Sequence, residues 1–242
     1  MSKCLDLIKE FLHRRKVTLR ELQSLCGLLN FACQVVVPVR AFLRRLFDLC
    51  RSLRKPHHRV KLTVGVKEDL KVWEQFLIFF NGKCFFMEDN VVSTDMLQLY
   101  TYASGKYGYG ALLETSWFYA EWNESWENVD ITIKELYPIA LAVDLWGERF
   151  SNKYVCFNCD NETLIFILNK QTSKDSCLML LVRKLVLLAL KFNILFSAKH
   201  LPDKVNIYSD ALSRLQVSKF QTLMPQADLQ PTRIPPLPEL PA

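Results

Sequence analysis

The sequence predicts a mixed α/β fold, and three observations support this class. Residues 97–122 contain three successive strand-like stretches joined by short turns. Residues 132–215 then alternate between helical and strand-like patterns. Half of the 242 residues are hydrophobic and 23% are charged, which is the composition of a globular chain with a core. Three strands in a meander, followed by alternating helices and strands, favour a mixed sheet flanked by helices.

The segment before the predicted sheet, residues 1–80, is expected to be helical. Residues 1–13 have an amphipathic pattern, and Thr18-Leu-Arg-Glu21 has the form of a capping box that opens the next helix. Further helices are expected over 39–53 and 67–80, where apolar residues recur at helical spacing. The main domain is expected to follow over residues 95–215.

Within residues 95–215 the predicted elements follow one another closely. The expected strands are 97–103, 107–114, 117–122, 154–159 and 194–199, and the expected helices are 132–150, 162–168, 176–192 and 206–215. Residues 216–242 form a Pro-rich tail, which shows no helical or strand period from Pro225 onwards. We expect this tail to be extended and mobile.

Basic residues are concentrated at one end of the chain. Residues 1–62 hold 14 Lys and Arg against 4 Asp and Glu, whereas residues 63–242 hold 17 against 21. This asymmetry fits a surface that grips nucleic acid, and it equally fits the solvated face of basic helices. The candidate contacts for phosphate groups lie away from the apolar face of the 39–53 helix and are Arg40, Arg44, Arg45 and Arg51.

The cysteines and the apolar stretches indicate an intracellular chain. The first residues lack the apolar segment of a secretion signal, and most of the eight cysteines lie inside apolar patterns. We therefore expect free, buried thiols in the reducing cytoplasm or nucleus, and no secretion. Cys156 and Cys159 have the spacing of a redox or zinc half-site, but residues three apart on a strand face opposite sides. Charged residues interrupt the most apolar stretch, 178–196, so we expect no membrane span.

Three acidic residues on separate elements are candidate metal ligands. Asp160 ends a buried strand, Glu135 is predicted in the first turn of a helix, and Asp210 lies in the last helix. Carboxylates that meet at one sheet edge can hold two Mg²⁺ ions about 4 Å apart, which activate water for phosphodiester cleavage. Each also has a structural interpretation, as a capping box with Thr132, a cap of the next helix and a solvated helix residue respectively. His200, in the loop before the last helix, is either a general acid–base or an exposed loop histidine.

Four sequence strings occur in an informative order. They are Leu99-Tyr-Thr-Tyr-Ala-Ser-Gly105, Lys134-Glu-Leu-Tyr-Pro-Ile139, Phe157-Asn-Cys-Asp-Asn161 and His200-Leu-Pro-Asp-Lys-Val-Asn-Ile-Tyr-Ser-Asp-Ala-Leu-Ser-Arg214. Together they resemble the RNase H domain of retroelement polyproteins. Trp146-Gly147 and Asn169-Lys-Gln-Thr-Ser-Lys-Asp175 look closest to DIRS-type retrotransposons. Residues 15–80 are similar to the segment that links the polymerase to RNase H in the same elements.

The resemblance implies a fold, a reaction and a set of site residues. The fold is an RNase H-like mixed five-stranded sheet flanked by helices and preceded by a helical segment. The reaction is hydrolysis of the RNA strand of an RNA–DNA hybrid with Mg²⁺ or Mn²⁺. Glu135, Asp160 and Asp210 fall on metal-ligand positions, and His200 falls on the position of a mobile histidine associated with product release. Other retroelement proteins are implied as partners.

Position 102 departs from the family. The family has Thr-Asp-Ala-Ser, with an Asp shared by both metals, where this sequence has Thr101-Tyr-Ala-Ser104. The Tyr102 phenol, with a pKa of about 10, is neutral at pH 7 and bulkier than a carboxylate. Asp95 is too far along the strand to replace it. We therefore expect weak or absent nuclease activity. Because the chain has no Asp-Asp pair of the polymerase type, we expect no independent DNA synthesis.

Three functions stay open on the sequence alone. The first is an impaired RNase H enzyme. The second is a module that binds an RNA–DNA hybrid or single-stranded nucleic acid without cutting it. The third is an interaction protein whose Pro235-Pro-Leu-Pro238 segment serves as a polyproline ligand. Position 102 separates the first function from the second.

Overall fold

The chain folds into two compact units, Met1–Met87 and Glu88–Ala242. The structure is a computed structural model and describes residues 2–33, 37–79, 91–93, 97, 99–200 and 207–238. The predicted turn at 81–82, Cys84, Asp95 and the loop 201–206 lie outside the described residues. Within the described part of the chain, no helix has the length and apolar character needed to cross a membrane.

The first unit is mainly helical. Its elements are α1 (Ser2–His13), β1 (Lys16–Thr18), α2 (Leu19–Ala32), a 3-10 helix (Val37–Leu43), α3 (Arg44–Arg51), β2 (Arg59–Lys61) and α4 (Val64–Phe79). Its core is formed by fully buried side chains of the helices, among them Leu22, Leu25, Leu46, Leu70 and Trp73. The two short strands pair antiparallel. They were not predicted, because three residues are too few to show a strand period.

The predicted capping box at the start of α2 is confirmed. The Thr18 hydroxyl accepts a hydrogen bond from the Glu21 backbone N–H at 3.3 Å, and the Glu21 carboxylate accepts one from the Thr18 backbone N–H at 2.7 Å. The helix predicted over 39–53 is different in detail, since its first part is a 3-10 helix and the α-helix begins only at Arg44.

The second unit alternates strands and helices. Its elements are β3 (Val91–Ser93), β4 (Leu99–Ala103), β5 (Gly108–Leu113), β6 (Ser116–Glu121), a 3-10 helix (Glu124–Trp126), α5 (Ile131–Trp146), a 3-10 helix (Gly147–Phe150), β7 (Tyr154–Cys159), α6 (Glu162–Lys170), α7 (Ser176–Lys191), β8 (Leu195–His200), α8 (Ile207–Ser213) and α9 (Val217–Leu223). Every strand and helix predicted over 97–215 is present, with ends that shift by a few residues. The helix predicted over 132–150 differs at its end, because its last turn, Gly147–Phe150, is a 3-10 helix.

The strands of this unit confirm the mixed α/β class. β4, β5 and β6 form an antiparallel sheet with β5 in the middle, and β3, β7 and β8 form a parallel sheet with β7 in the middle. Among the described residues the strand pairings form two groups of three, and residues 94–96 and 98, between β3 and β4, lie outside the described part. The short β3, which was not predicted, provides the third strand of the parallel sheet.

Helices cover both faces of the antiparallel sheet. Side chains alternate between the two faces of each strand. Tyr109 of β5 packs edge-on against Tyr137 of α5, with ring centroids 5.1 Å apart. Tyr100 of β4 packs against Tyr208 of α8 on the opposite face, with ring centroids 5.7 Å apart. The sheet thus holds α5 and α8, which carry two of the candidate carboxylates, on opposite faces.

The chain after α8 differs from the sequence prediction. α9 was not predicted, and its Phe220 is fully buried against Trp117 of β6 at a ring distance of 5.0 Å. Residues 225–238 have no helix or strand, as expected. This stretch contacts the antiparallel sheet, because the backbone N–H groups of Asp228 and Thr232 donate hydrogen bonds to the backbone oxygens of Thr115 and Trp117 at 2.8 and 2.7 Å.

Candidate active site

The ends of β7 and β8 bring two of the predicted site residues to one edge of the parallel sheet. Cys159 of β7 is in register with His200 of β8, and Asp160 follows Cys159 directly. His200 is exposed and is the last residue of β8, so the prediction that it lies in a loop is wrong. The strand continues to this residue because it keeps its parallel register with β7. Asp160 and His200 therefore leave the sheet at neighbouring positions.

Asn161 links this edge to α5. Its side-chain amide donates a 2.8 Å hydrogen bond to the Glu135 carboxylate. Its side-chain oxygen accepts hydrogen bonds from the backbone N–H groups of Thr163 and Leu164 at 2.9 and 3.1 Å, which caps α6. The helix cap that we considered for Asp160 is thus supplied by Asn161.

Glu135 lies in the second turn of α5, so the predicted capping box with Thr132 is wrong. The helix begins at Ile131, and its N-cap is Asp130, whose carboxylate accepts a 2.8 Å hydrogen bond from the Thr132 backbone N–H. The physical reason is that Asp130 precedes the helix in an extended conformation suited to capping, whereas Thr132 is already helical. Glu135 is half-buried and lies beyond the first turn, which Asp130 caps.

The Cys159 thiol is influenced by the negative charges at this edge of the sheet. Burial, with smaller contributions from the carboxylates of Asp160 and Glu135, raises its pKa to about 12. The two carboxylates therefore lie close enough to act on the same buried sulfur. Cys156 and Cys159 are both buried and free, as expected, and a thiol held protonated in this way is a poor nucleophile and metal ligand.

The Asp210 carboxylate forms an ion pair with Arg214. The Arg214 guanidinium donates a 2.8 Å hydrogen bond to the Asp210 carboxylate, one helical turn away. The hydrogen bond and the charge of Asp210 raise the pKa of Arg214, and the phenols of Tyr102 and Tyr107 add smaller effects. Tyr102 therefore lies beside the Asp210–Arg214 pair.

Gly110 allows α8 to approach the sheet at this point. It is in register with Tyr102 on the neighbouring strand. A Cβ atom on Gly110 would lie 2.5 Å from the Cβ of Leu212, a distance too short for two carbon atoms. Since Leu212 is fully buried and two residues from Asp210, this close approach sets the position of the ion pair relative to β4.

The structure brings the predicted carboxylates together only in part. Glu135 and Asp160 act on a common thiol, whereas Asp210 is engaged by Arg214. Across the described residues there is no group of three or more His, Cys, Asp or Glu side chains placed to hold a metal ion. The group around Asp210 differs in chemistry from a set of hard oxygen ligands, since a guanidinium is bound to its carboxylate.

The candidate arginines of the first unit have unequal surroundings. Arg45 donates hydrogen bonds of 2.9 Å to both the Asp69 carboxylate and the Gly65 backbone oxygen, and Asp69 is only 2% exposed. Arg44 forms a 2.9 Å ion pair with Asp48. These two side chains therefore support the packing of α3. Arg40 and Arg51 are exposed, and the side chain of Arg51 is 69% accessible.

Three residues of this region were not singled out from the sequence. Asn161 and Arg214 could have been found, because Asn before Glu162 is a favoured helix cap and Arg214 stands four residues after Asp210. Asn169 gave no such signal. Its side-chain amide donates a hydrogen bond to the Ala198 backbone oxygen and accepts one from the Ala198 backbone N–H, both at 2.8 Å. These bonds supply partners for the backbone groups of Ala198 on the outer strand β8. Asn169 thereby holds the strand that ends in His200.

The chain has similarity to solved structures of reverse transcriptases from one virus group. No protein-family model matches it, and no curated protein does. Among solved structures it is similar to the prototype foamy virus protease-reverse transcriptase, with 15% identity over 77% of this chain and 25% of that one, and a TM-score of 0.29. It is also similar to a foamy viral protease-reverse transcriptase dRH in complex with double-stranded DNA, with 18% identity over 84% and 36% of the two chains, and a TM-score of 0.28. The chain thus spans about a quarter to a third of these proteins.

Proposed function

We propose that this chain is an RNase H-like protein, derived from the reverse transcriptase of a DIRS-type retroelement, that binds nucleic acid and cleaves the RNA of an RNA–DNA hybrid weakly or not at all. The DIRS-type origin rests on the sequence strings that resemble those elements. The mixed α/β unit, with Asp160 at a strand end and Glu135 and Asp210 on flanking helices, is compatible with that origin.

One observation carries the proposed loss of activity. The Arg214 guanidinium lies 2.8 Å from Asp210, and Tyr102 lies beside this pair. Two Mg²⁺ ions bound here would have to displace the Arg214 guanidinium from Asp210. They would also lack a charged ligand at position 102. A phenol with a pKa of about 10 does not supply that charge at pH 7. Of the four carboxylates that the resemblance implies, one is absent at position 102 and one, Asp210, is paired with Arg214.

Nucleic-acid binding is proposed for the exposed cations of the first unit. Arg40 and Arg51 are exposed, and they belong to residues 1–62, where basic residues exceed acidic ones. Contacts of this kind go to phosphate groups and weaken steeply as salt is raised. Arg45 is left out of the proposed surface, because its guanidinium neutralises the buried Asp69.

The test is cleavage of a labelled RNA–DNA hybrid with Mg²⁺ or Mn²⁺ by the full chain and by three variants. We expect no cleavage above background for the unmodified chain and for Tyr102→Phe, which keeps the ring. Tyr102→Asp is expected to gain cleavage, and the gain should disappear in Tyr102→Asp combined with Asp160→Asn. Strong cleavage by the unmodified chain would contradict the proposed impairment.

Binding is measured separately from cleavage. The same hybrid and a single strand are titrated with the full chain at two salt concentrations, beside Arg51→Ala and Arg45→Ala. We expect Arg51→Ala to weaken binding and reduce its salt dependence. Arg45→Ala is expected to lower the stability of the fold in urea unfolding, since it leaves Asp69 buried without its cation. If the unmodified chain binds neither nucleic acid, the nucleic-acid part of the proposal is wrong.

A further inference from the structure

Several residues of the second unit hold the chain's own Pro-rich tail by hydrogen bonds. We call this group the tail-binding surface and define it by Thr115, Ser116, Trp117 and Trp126. These residues supply every hydrogen bond described below to residues 228–238. Because the contacts include side-chain donors as well as backbone groups, the surface can distinguish one extended peptide from another.

The first part of the tail-binding surface recognises an acidic residue. The Ser116 hydroxyl donates a 2.9 Å hydrogen bond to the Asp228 carboxylate, and Arg149 donates a 3.1 Å hydrogen bond to the same hydroxyl oxygen. The Trp117 indole N–H donates to the Asp228 backbone oxygen at 2.8 Å. The Asp228 backbone N–H donates to the Thr115 oxygen, also at 2.8 Å. Asp228 is thus bound through its side chain and both of its backbone groups.

The second part is the free edge of a sheet. β6 is an outer strand of the antiparallel sheet, and its outward backbone groups need partners. The Thr232 backbone N–H donates a 2.7 Å hydrogen bond to the Trp117 oxygen. Extended peptides that pair with an exposed strand edge in this way are a common mode of recognition.

The third part of the tail-binding surface is the indole ring of Trp126. Trp126 is fully buried and stacks on Trp122, with ring centroids 5.0 Å apart and planes within 8°. Its indole N–H donates a 2.9 Å hydrogen bond to the backbone oxygen of Pro238. A buried donor without an acceptor is costly, so this N–H favours a bound carbonyl. Indole donors that meet the carbonyls of proline-rich segments are typical of polyproline recognition.

The tail presents a matching face. Ile234 and Leu237 are half-buried, whereas Pro235, Pro236 and Pro238 between and after them are exposed. A spacing of three residues places side chains on one face of a polyproline II helix. The apolar side chains therefore contact the protein and the prolines keep the segment extended, which reduces the entropy lost on binding.

From these contacts we propose that the tail-binding surface is a peptide-binding site for extended, proline-rich segments that carry an acidic residue near their start. The chain's own residues 228–238 occupy it in cis, and a free peptide of this chemistry exchanges with them. The proposal does not depend on nucleic-acid binding or on nuclease activity.

The experiment uses the full chain with a protease recognition sequence inserted between the exposed residues Pro225 and Gln226, and a fluorescent label at the C-terminus. After cleavage, fluorescence anisotropy reports whether the tail fragment stays bound. We expect it to stay bound and to be displaced by an excess of unlabelled peptide with the sequence of residues 226–242. The same peptide with Asp228→Ala is expected to compete about tenfold less well, because it lacks a charged acceptor.

Two tryptophan variants form a matched pair. Trp126→Phe removes the indole N–H that meets Pro238 and should weaken tail binding about fivefold, the effect of one hydrogen bond. Trp122→Phe removes an indole N–H from the same stack, but that group donates to the Ser104 oxygen, so tail binding should change less than about twofold. Equal effects of the two variants would overturn the proposal.

Two further outcomes would also overturn it. If the labelled fragment is released on first dilution, the surface does not bind the segment as a ligand. If release of the fragment is accompanied by loss of the circular dichroism of the remaining chain, the tail is an inseparable part of the fold. Competition by a scrambled peptide as strong as that of the native sequence would show that the surface lacks specificity and would contradict the proposal in the same way.

Discussion

Asn161 donates a 2.8 Å hydrogen bond to Glu135 while its side-chain oxygen caps α6. One amide therefore connects α5, the end of β7 and the start of α6. An amide is suited to this position because it offers a donor to the carboxylate and an acceptor to the helix at once. No carboxyl side chain could serve both partners at neutral pH.

The dual role of Asn161 predicts a pH-dependent effect of Asn161→Asp. The carboxylate would still cap α6 but would repel Glu135, so we expect a loss of about 1–2 kcal/mol at pH 7. Repulsion between the two carboxylates raises their pKa above the ordinary value of about 4. The folded chain therefore binds a proton at this pair more tightly than the unfolded chain does, and the loss of stability shrinks as the pH falls. Urea unfolding at pH 7 and pH 4.5 measures it. Asn161→Ser, which caps without charge, should show no such pH dependence.

The Asp210–Arg214 ion pair predicts how a restored site would bind metal. In a Tyr102→Asp background, Arg214→Gln removes a cation 2.8 Å from Asp210 and should increase the affinity for Mn²⁺. Isothermal titration with Mn²⁺ alone measures the affinity. The control is Lys184→Gln, since Lys184 is a similarly exposed cation 2.8 Å from Asp144, between α7 and α5. An equal change in both variants would mean that only the net charge matters.

The sequence predicted the helices and strands of the second unit better than the pairing and contacts between them. The strands over 99–121 and 154–159 were foreseeable from local pattern. The pairing of β3 with β7 was not foreseeable, because three residues show no pattern by themselves. The positions of Glu135, Asp160 and Asp210 on their elements were foreseeable, but the pairing of Asp210 with Arg214 depends on side-chain conformation. The docking of the tail depends on contacts between residues more than a hundred positions apart, which no local period records.

The capping box of α2 predicts acid sensitivity of the first unit. Hydrogen bonds from Thr18 and Arg14 lower the pKa of Glu21 to about 2. Its contribution to stability is therefore complete above pH 4.5 and is lost as the pH falls from about 4.5 to about 2. The side chain is 39% exposed, so the effect is screened and should be about 1 kcal/mol or less. Glu21→Gln should flatten the acid limb of unfolding measured by circular dichroism, whereas the exposed Glu10→Gln should not.

The close approach of α8 to the sheet predicts opposite effects at two glycines. Gly110→Ala places a Cβ 2.5 Å from the Cβ of the fully buried Leu212 and 3.2 Å from the Phe118 oxygen, so the helix must move away. We expect a loss of about 1–3 kcal/mol in urea unfolding, typical of an overpacked core. Faster amide hydrogen exchange in 207–213 should accompany it, because the helix loses its contact with β5. Gly27 of α2 has no neighbour within 4 Å of an added Cβ, and Gly27→Ala should stabilise the chain by about 0.5–1 kcal/mol through helix propensity. Equal or greater stability of Gly110→Ala, with unchanged exchange in 207–213, would mean that α8 does not rest on Gly110 and that the position of Asp210 beside Tyr102 has another cause.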